Sequence, residues 1–305
     1  MERILVTGGS GFIGSHIAEH FVQKGFSVAI LDSSKESSNI LPFAKDLDIF
    51  NCSITDYEEV KKAMKDVRYV FHHAAMVSVP QSVEQPELAK RINTVGTLNV
   101  LKAAKECGAK RVILASSSAV YGNNKPPLHE NMLPNPLSPY AQTKLENEKH
   151  AHESYHRQGL ETVSLRYFNV YGPRQNPDSA YAAVIPKFIT ALKSGSKPVI
   201  YGNGSQTRDF IFVKDVVRAN VLAASAAKGA LGETFNIATG KPVSILSLLE
   251  KIASLMGKKA DPVLQPPRKG DILHSYADIS KASKLLSFNS EYALEKGLGE
   301  TVKSF

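Results

Sequence analysis

The chain has 305 residues, of which 43% are hydrophobic and 22% charged, with two cysteines and a formal charge of +8 at pH 7. This composition supports an ordinary globular core of one large or two modest domains, and it excludes a disulfide scaffold and a low-complexity polymer. Lysines and arginines are scattered among acids with no tract or aromatic-interleaved patch. A nucleic-acid partner is therefore not expected, and several loop arginines are left to serve small anions.

The first apolar run, Ile4-Leu5-Val6, reads as a strand, and the segment Thr7-Gly8-Gly9-Ser10-Gly11-Phe12-Ile13-Gly14 reads as a tight turn. A helix is expected over 15–24, with Gly25 as its C-cap, and a second strand over 28–31 ends at Asp32. In such a unit the glycines let the backbone approach a pyrophosphate, and the helix offers it free N–H groups. A carboxylate about 20 residues further on can bond ribose hydroxyls and repel a 2′-phosphate, so Asp32 favours NAD over NADP. Strands at 48–50, 69–71, 111–114 and 163–165 then alternate with helices starting at Tyr57, running from 95 to 107, and starting at Pro139. The fold class is therefore α/β, a Rossmann-type doubly wound parallel sheet, in which ligands bind outside the carboxyl ends of the strands.

After Arg166 the texture turns to Pro- and Gly-rich loops with shorter elements, which implies a smaller substrate-binding α/β lobe. A helix at 213–227 and a strand at 234–237 are expected to return to the main sheet. The expected division is 1–168 plus 209–238 for the cofactor domain and 169–208 plus 239–305 for the lobe. No apolar run reaches the ~20 residues of a membrane helix, and the N-terminus lacks a signal-peptide cleavage pattern, so a cytoplasmic protein without a membrane partner is expected. Cys52 and Cys107 have no metal-like spacing and are expected to be buried thiols; no metal site is expected.

The segment Tyr140-Ala141-Gln142-Thr143-Lys144 carries the chemistry. Residues four apart share a helix face, so the Lys144 ammonium can favour the ionised form of Tyr140. Bringing a phenol down by about three units from its ordinary value takes roughly 4 kcal/mol of preferential interaction with the phenolate. One ammonium together with an oxidised nicotinamide could supply it.

Thr7 to Gly14, His73-Ala74-Ala75, Asn93, Ser116-Ser117-Ser118-Ala119-Val120-Tyr121-Gly122, Tyr140 to Lys144 and Arg166-Tyr167-Phe168-Asn169 follow in this order. With them the chain resembles an extended short-chain dehydrogenase/reductase, and within that group a nucleotide-sugar 4-epimerase. The resemblance covers nearly the whole chain. It implies a bound NAD that takes hydride from carbon 4 of the sugar and returns it to the other face of a rotated 4-keto intermediate. It also implies that Tyr140 accepts the 4-hydroxyl proton, Lys144 lowers its pKa, and Ser117 bonds the reacting oxygen. Cofactor contacts are implied at Gly8, Gly11, Phe12, Ile13, Gly14, Asp32, Ile54, Ala74, Ala75, Asn93 and Tyr167, besides Tyr140 and Lys144.

On the substrate side the resemblance implies Ser78, Ser117, Ser118, Asn169, Val184, Tyr201, Arg208, Arg268 and Ser275. Asn169, Arg208 and Arg268 match positions that hold a diphosphate, as guanidinium forks suit a dianion, although a lobe-bridging ion pair is the plain alternative for each arginine. The segments around Val184 and Tyr201 resemble those that enclose uracil, and could equally be core packing. The stretch 171–186 looks like the branch that acts on N-acetylated UDP-hexoses. Ser275 stands where epimerases of plain sugars carry a bulky aromatic. Activity on UDP-glucose/UDP-galactose and on their N-acetylated counterparts is expected.

Sugar dehydratases of this kind have an Asp-Glu pair where Ser118 and Ala119 stand here, which argues against elimination. Ser53 and Val77 depart from the acid and the Lys or Gln often found there, and so put tight cofactor retention in doubt. A homodimer through 87–107 and 140–157 is the implied assembly. The competing readings are a UDP-glucuronate epimerase or decarboxylase and, from another class, a non-catalytic NAD-binding regulatory protein.

Overall fold

The computed structural model describes residues 2–34, 37–176, 184–267 and 272–305. Seven strands form the central sheet: β1 (Arg3–Thr7), β2 (Ser27–Asp32), β3 (Leu47–Asn51), β4 (Val67–His72), β5 (Arg111–Ser117), β6 (Glu161–Tyr167) and, later in the chain, β10 (Thr234–Ile237). Every pairing is parallel and the order is β10-β6-β5-β4-β1-β2-β3. Ile4, Leu5 and Val6 are fully buried, as a strand covered on both faces requires. Ile4 and Val6 enter one apolar layer and Leu5 the other, following the two-residue alternation of a strand.

Helices α1 (Phe12–Gln23), α2 (Tyr57–Ala63), α3 (Val79–Glu84), α4 (Pro86–Lys90), α5 (Gly96–Glu106) and α6 (Pro139–Gln158) connect these strands. A widened turn, Arg91–Val95, joins α4 to α5. Between β1 and β4 the strand order reverses direction, so the loops after these strands diverge and leave a crevice there. The glycine turn and His73-Ala74-Ala75 both open onto it.

The smaller lobe holds β7 (Asn169–Tyr171), β8 (Val199–Tyr201), β9 (Thr207–Phe212), β11 (Pro242–Ser244), β12 (Val263–Gln265) and β13 (His274–Ser275). β9 pairs with β7, β11 and β13, while β12 pairs with β8. Its core gathers Phe188, Ile189, Phe210, Phe212, Leu248, Leu249 and Ile252 from β9, α7 (Val184–Lys193) and α9 (Ile245–Leu255). The remaining helices are α8 (Val213–Ala224), α10 (Ser280–Leu286) and α11 (Leu294–Lys303). Asp209, fully buried on β9, ties this lobe to the loop after β10. Its carboxylate accepts the Thr239 hydroxyl at 2.6 Å and the N–H groups of Thr239 at 2.8 Å and Gly240 at 2.9 Å. Burial alone raises its pKa, and these bonds pull it back toward the ionised form.

Four expectations differ from what is found. α1 begins at Phe12, inside the glycine motif, because Phe12 and Ile13 pack on the lobe core. α8 ends at Ala224, three residues early. The boundary at 209 falls inside β9, a strand of the lobe sheet, whereas Ala282, Leu286 and Phe288 from the C-terminal region pack into the main core. Neither Cys52 nor Cys107 is fully buried. Cys52 follows β3 where the crevice opens, and partial burial pushes its thiol up to about 11. No described helix is long and apolar enough to cross a membrane.

Candidate active site

The crevice at the strand-order reversal is a cleft of about 760 Å³. Gly8, Gly11, Phe12, Ile13, Gly14, Asp32, Ile54, Ala74 and Ala75 line it together with Ser117, Tyr140, Lys144 and Tyr167. Residues far apart in the chain are thus brought together in one cleft.

The glycine turn has almost no spare volume. Gly8 adopts φ +69°, and a Cβ there would sit 2.7 Å from the Ala74 nitrogen; one at Gly14 would sit 2.1 Å from the Gly8 carbonyl oxygen. The N-cap of α1 is Gly11, which has no side chain to cap with and so leaves the first-turn N–H groups without a protein acceptor from the cap residue. Asp32 ends β2 on the same rim, its Oδ2 accepting the Ser10 N–H at 3.0 Å and its Oδ1 the Ser34 hydroxyl at 2.7 Å. This set of uncapped donors, a side-chain-free cradle and a carboxylate fits a dinucleotide.

Thr7 and His72 hold the β1 and β4 loops in register. The Thr7 oxygen accepts the Ala74 N–H at 3.2 Å and contacts His72 Nδ1 at 2.7 Å, and His72 Nε2 meets the Thr97 oxygen at 2.8 Å. Because the Thr97 hydroxyl donates to the Asn93 carbonyl at 2.6 Å, His72 Nε2–H must be the donor to Thr97, and Nδ1 accepts from Thr7. A neutral His72 is required, in agreement with burial pushing it down to about 3. Asn93 itself is fully buried and does not line the cleft. Its side chain bonds the Met76 N–H at 2.7 Å, the Met76 carbonyl at 3.1 Å and Thr143 at 3.0 Å. It fastens the loop after β4 to α6, since the widened turn Arg91–Val95 points it inward.

α6 starts at Ser138, whose oxygen accepts the Ala141 N–H at 3.2 Å, and Ser82 of α3 accepts the Tyr140 N–H at 3.1 Å. These two bonds satisfy two of the helix's orphan donors and fix Tyr140 in the wall of the cleft. Lys144, one turn on, is 5% exposed, donates to the Ala115 carbonyl at 2.8 Å and lies 5.8 Å from the Tyr140 ring centroid. Burial pushes Lys144 down to about 8, with Glu148 pulling the other way. Burial likewise raises Tyr140, opposed by a hydrogen bond with Ser117. The expected lowering of Tyr140 is thus not built into the protein alone, because desolvation outweighs the help it receives.

Ser117 is the N-cap of the single turn Ser118–Tyr121, its oxygen accepting the Ala119 N–H at 3.2 Å while its hydroxyl also bonds Tyr140. Ser118 and Ser78 do not line the cleft; Ser78 caps α3. Tyr167 receives a bond from Asn220 at 2.8 Å and meets His73 Nε2 at 3.0 Å.

A second cleft of about 290 Å³ runs into the lobe, lined by Asn169, Val184, Tyr201 and Arg208. Val170 and Gln175 line both clefts, so the two adjoin there. Asn169 spends its amide N–H on the Asp209 carbonyl at 3.0 Å, and Arg208 donates to the Thr207 carbonyl at 2.8 Å. Ser275 pairs with Arg208 across β13 and β9 but does not line this cleft. Arg268 and the segment 177–183 lie outside the described residues.

Sequence reasoning gave no role to Gln175 or Gln81, and it quoted His73 and Ser116 in motifs without assigning them a contact; all four line the main cleft. Gln175 Oε1 is buried with no partner among the described groups, at the junction of the two clefts. The signal was present in Pro173-Arg174-Gln175. Arg174, at φ +68°, pairs with Glu19 at 2.7 Å, and His16 meets the Pro173 carbonyl at 3.0 Å, which pins this loop onto α1.

Comparison with known proteins agrees with this geometry. Residues 4–238 match the NAD dependent epimerase/dehydratase family. The UDP-glucose 4-epimerase of Mycolicibacterium smegmatis is 36% identical over 316 residues, covering 99% of this chain and 98% of that one. Among solved structures, the UDP-N-acetylglucosamine 4-epimerase from Methanobrevibacter ruminantium M1 in complex with UDP-N-acetylmuramic acid superposes with a TM-score of 0.94 at 42% identity, covering 100% of this chain and 98% of that one. The UDP-glucuronic acid 4-epimerase from Bacillus cereus in complex with UDP-glucuronic acid and NAD gives a TM-score of 0.90 at 32% identity, covering 99% and 98%. The chain belongs to the NAD-dependent epimerase/dehydratase family, and its cofactor is NAD.

Proposed function

We propose that the protein is a UDP-hexose 4-epimerase, an isomerase that interconverts UDP-glucose with UDP-galactose and UDP-N-acetylglucosamine with UDP-N-acetylgalactosamine. The observation that carries this reading is the adjacency of the two clefts, which share Val170 and Gln175 in their walls. A molecule with its diphosphate near Arg208 can extend its sugar toward Tyr140 and Ser117. The cradle at Gly8, Gly11 and Gly14 would hold the NAD pyrophosphate and Asp32 a ribose, and when bound NAD supplies the hydride acceptor and donor that inversion at a carbinol carbon needs.

The residues do the rest. Tyr140 takes the proton of the sugar 4-hydroxyl and returns it, Ser117 orients that oxygen, and Lys144 contributes positive charge beside the phenolate. Ser118 and Ala119 sit where elimination would need an acid and a base, which supports epimerisation over dehydration. The cations lining the two clefts among the described residues are Lys144 and Arg208, assigned here to Tyr140 and to the diphosphate, which favours an uncharged hexose over a uronate. The exposed Val95 (44%), last in the widened turn, and Leu98 (41%) on α5 support a homodimer built across 87–107 and 140–157.

The test is proton NMR of the protein with NAD and, separately, UDP-galactose, UDP-N-acetylglucosamine and UDP-glucuronate. New anomeric signals from both of the first two are expected; conversion of glucuronate alone overturns the assignment. Ser275→Tyr should lower turnover of the acetylated sugar at least about tenfold while sparing the plain one, since filling one substituent's space typically costs 1–3 kcal/mol. Equal loss on both substrates would remove Ser275 from the sugar subsite.

A further inference from the structure

Tyr140 and Lys144 share their helix face with a third ionisable residue, one turn further on. Glu148 stands at the next i+4 position of α6, with its side chain 7% exposed. Its Oε1 accepts the Ser116 hydroxyl at 2.5 Å and Arg166 Nε at 2.8 Å, and its Oε2 accepts Arg166 Nη2 at 2.7 Å. This is a bidentate pair that joins α6 to β6, and Ser116 links it directly to the cleft wall. A buried ion pair is weak evidence for stability, because desolvating two charges offsets most of their attraction. It does hold a carboxylate in one place, one helical turn beyond Lys144 on the same face of α6.

We propose that Glu148, anchored by Arg166 and Ser116, is a positioning residue that sets the charge state of Lys144 and through it the basicity of Tyr140. The inference rests on the reading of Tyr140 and Lys144 as the proton-handling pair. Tyr140 and Glu148 on α6, His72 and His73 beside β4, and Arg166 and Tyr167 on β6 are the titratable and charged groups around Lys144. His72 and His73 are held neutral, pushed down to about 3 first by burial and then by the Lys144 charge. Tyr167 is kept protonated by burial. Glu148 is the only carboxylate among these groups, and it is the group that opposes the desolvation of Lys144. Without it a larger fraction of Lys144 is neutral at physiological pH, and a neutral amine gives the phenolate no charge stabilisation.

The experiment is a pH titration of the whole protein carrying lysine labelled with carbon-13 at Cε, the Lys144 signal being identified by its loss in Lys144→Arg. Wild type should titrate near about 8, and Glu148→Gln about one unit or more lower. Because Glu148→Gln leaves Arg166 buried and unpaired, the double variant Glu148→Gln/Arg166→Met is titrated as well, and should fall in the same direction. The alkaline limb of the turnover profile should move to lower pH by the same amount. An unchanged Lys144 midpoint in either folded variant overturns the proposal, since a merely structural pair would leave it where it is. The titration needs no turnover, so failure of the epimerase reading and failure of this inference are separable.

Discussion

Tyr140→Phe should lower turnover by about three orders of magnitude while leaving NAD affinity within a few-fold of wild type. The substitution removes one oxygen and keeps the ring that fills the wall between Ser117 and α3, so little packing is lost. What disappears is the hydroxyl that is hydrogen-bonded to Ser117 in the cleft wall and can both take and return a proton. Because burial raises the Tyr140 pKa in the protein itself, the phenol is protonated at neutral pH until positive charge is brought next to it. Lys144 supplies part of that charge, and an oxidised nicotinamide supplies the rest when bound. Activity should therefore have an acidic limb that shifts to lower pH as NAD saturates the protein. Turnover by NMR and NAD affinity by fluorescence titration check both halves. A Phe variant that keeps a tenth of wild-type activity would show that another group moves the proton.

The parts of the fold and of the site that the sequence makes legible are those with a local code. The run Ile4-Leu5-Val6, the glycine spacing and Asp32 lie within one strand–turn–helix–strand unit, so periodicity and turn chemistry place them without reference to the rest of the chain. Tyr140 and Lys144 are four apart on one helix, and their shared face follows from helix geometry alone. The missed residues depend on packing that the sequence does not encode locally. Asn93 looks like a cleft residue until a widened helical turn points its amide at Met76 and Thr143. Gln175 faces both clefts only because Arg174 and His16 pin its loop to α1, a contact spanning 155 residues between Arg174 and Glu19. The lowered Tyr140 pKa expected from a neighbouring ammonium fails for the same reason. Spacing shows that two charges are close, whereas the depth of burial decides which effect wins.

The other large effect is expected at Gly14. Replacing a helical glycine by alanine ordinarily stabilises a helix by roughly 0.5–1 kcal/mol, so propensity alone predicts a gain. Here the added Cβ would lie 2.1 Å from the Gly8 carbonyl oxygen, 2.8 Å from its carbon and 3.0 Å from Gly9 Cα. All three are backbone atoms of a turn with no flexible end to yield. Gly8 cannot retreat either, because its own Cα position is hemmed in by His73 and Ala74, and its N–H is bonded to the Leu31 carbonyl at 2.8 Å. The turn must therefore open and carry the first N–H groups of α1 away from the position that suits a pyrophosphate. A displacement of about 1 Å at such a site costs on the order of 100-fold, so Gly14→Ala should weaken NAD binding by at least that factor and lower the melting temperature. Gly25→Ala is the matched control. At φ +78° it meets nothing within 4 Å, so it should cost about 1 kcal/mol of stability through backbone strain and leave NAD affinity unchanged. Calorimetric NAD titration and thermal denaturation of the two variants separate the cases. Wild-type NAD affinity in Gly14→Ala would mean that the pyrophosphate does not rest on this turn.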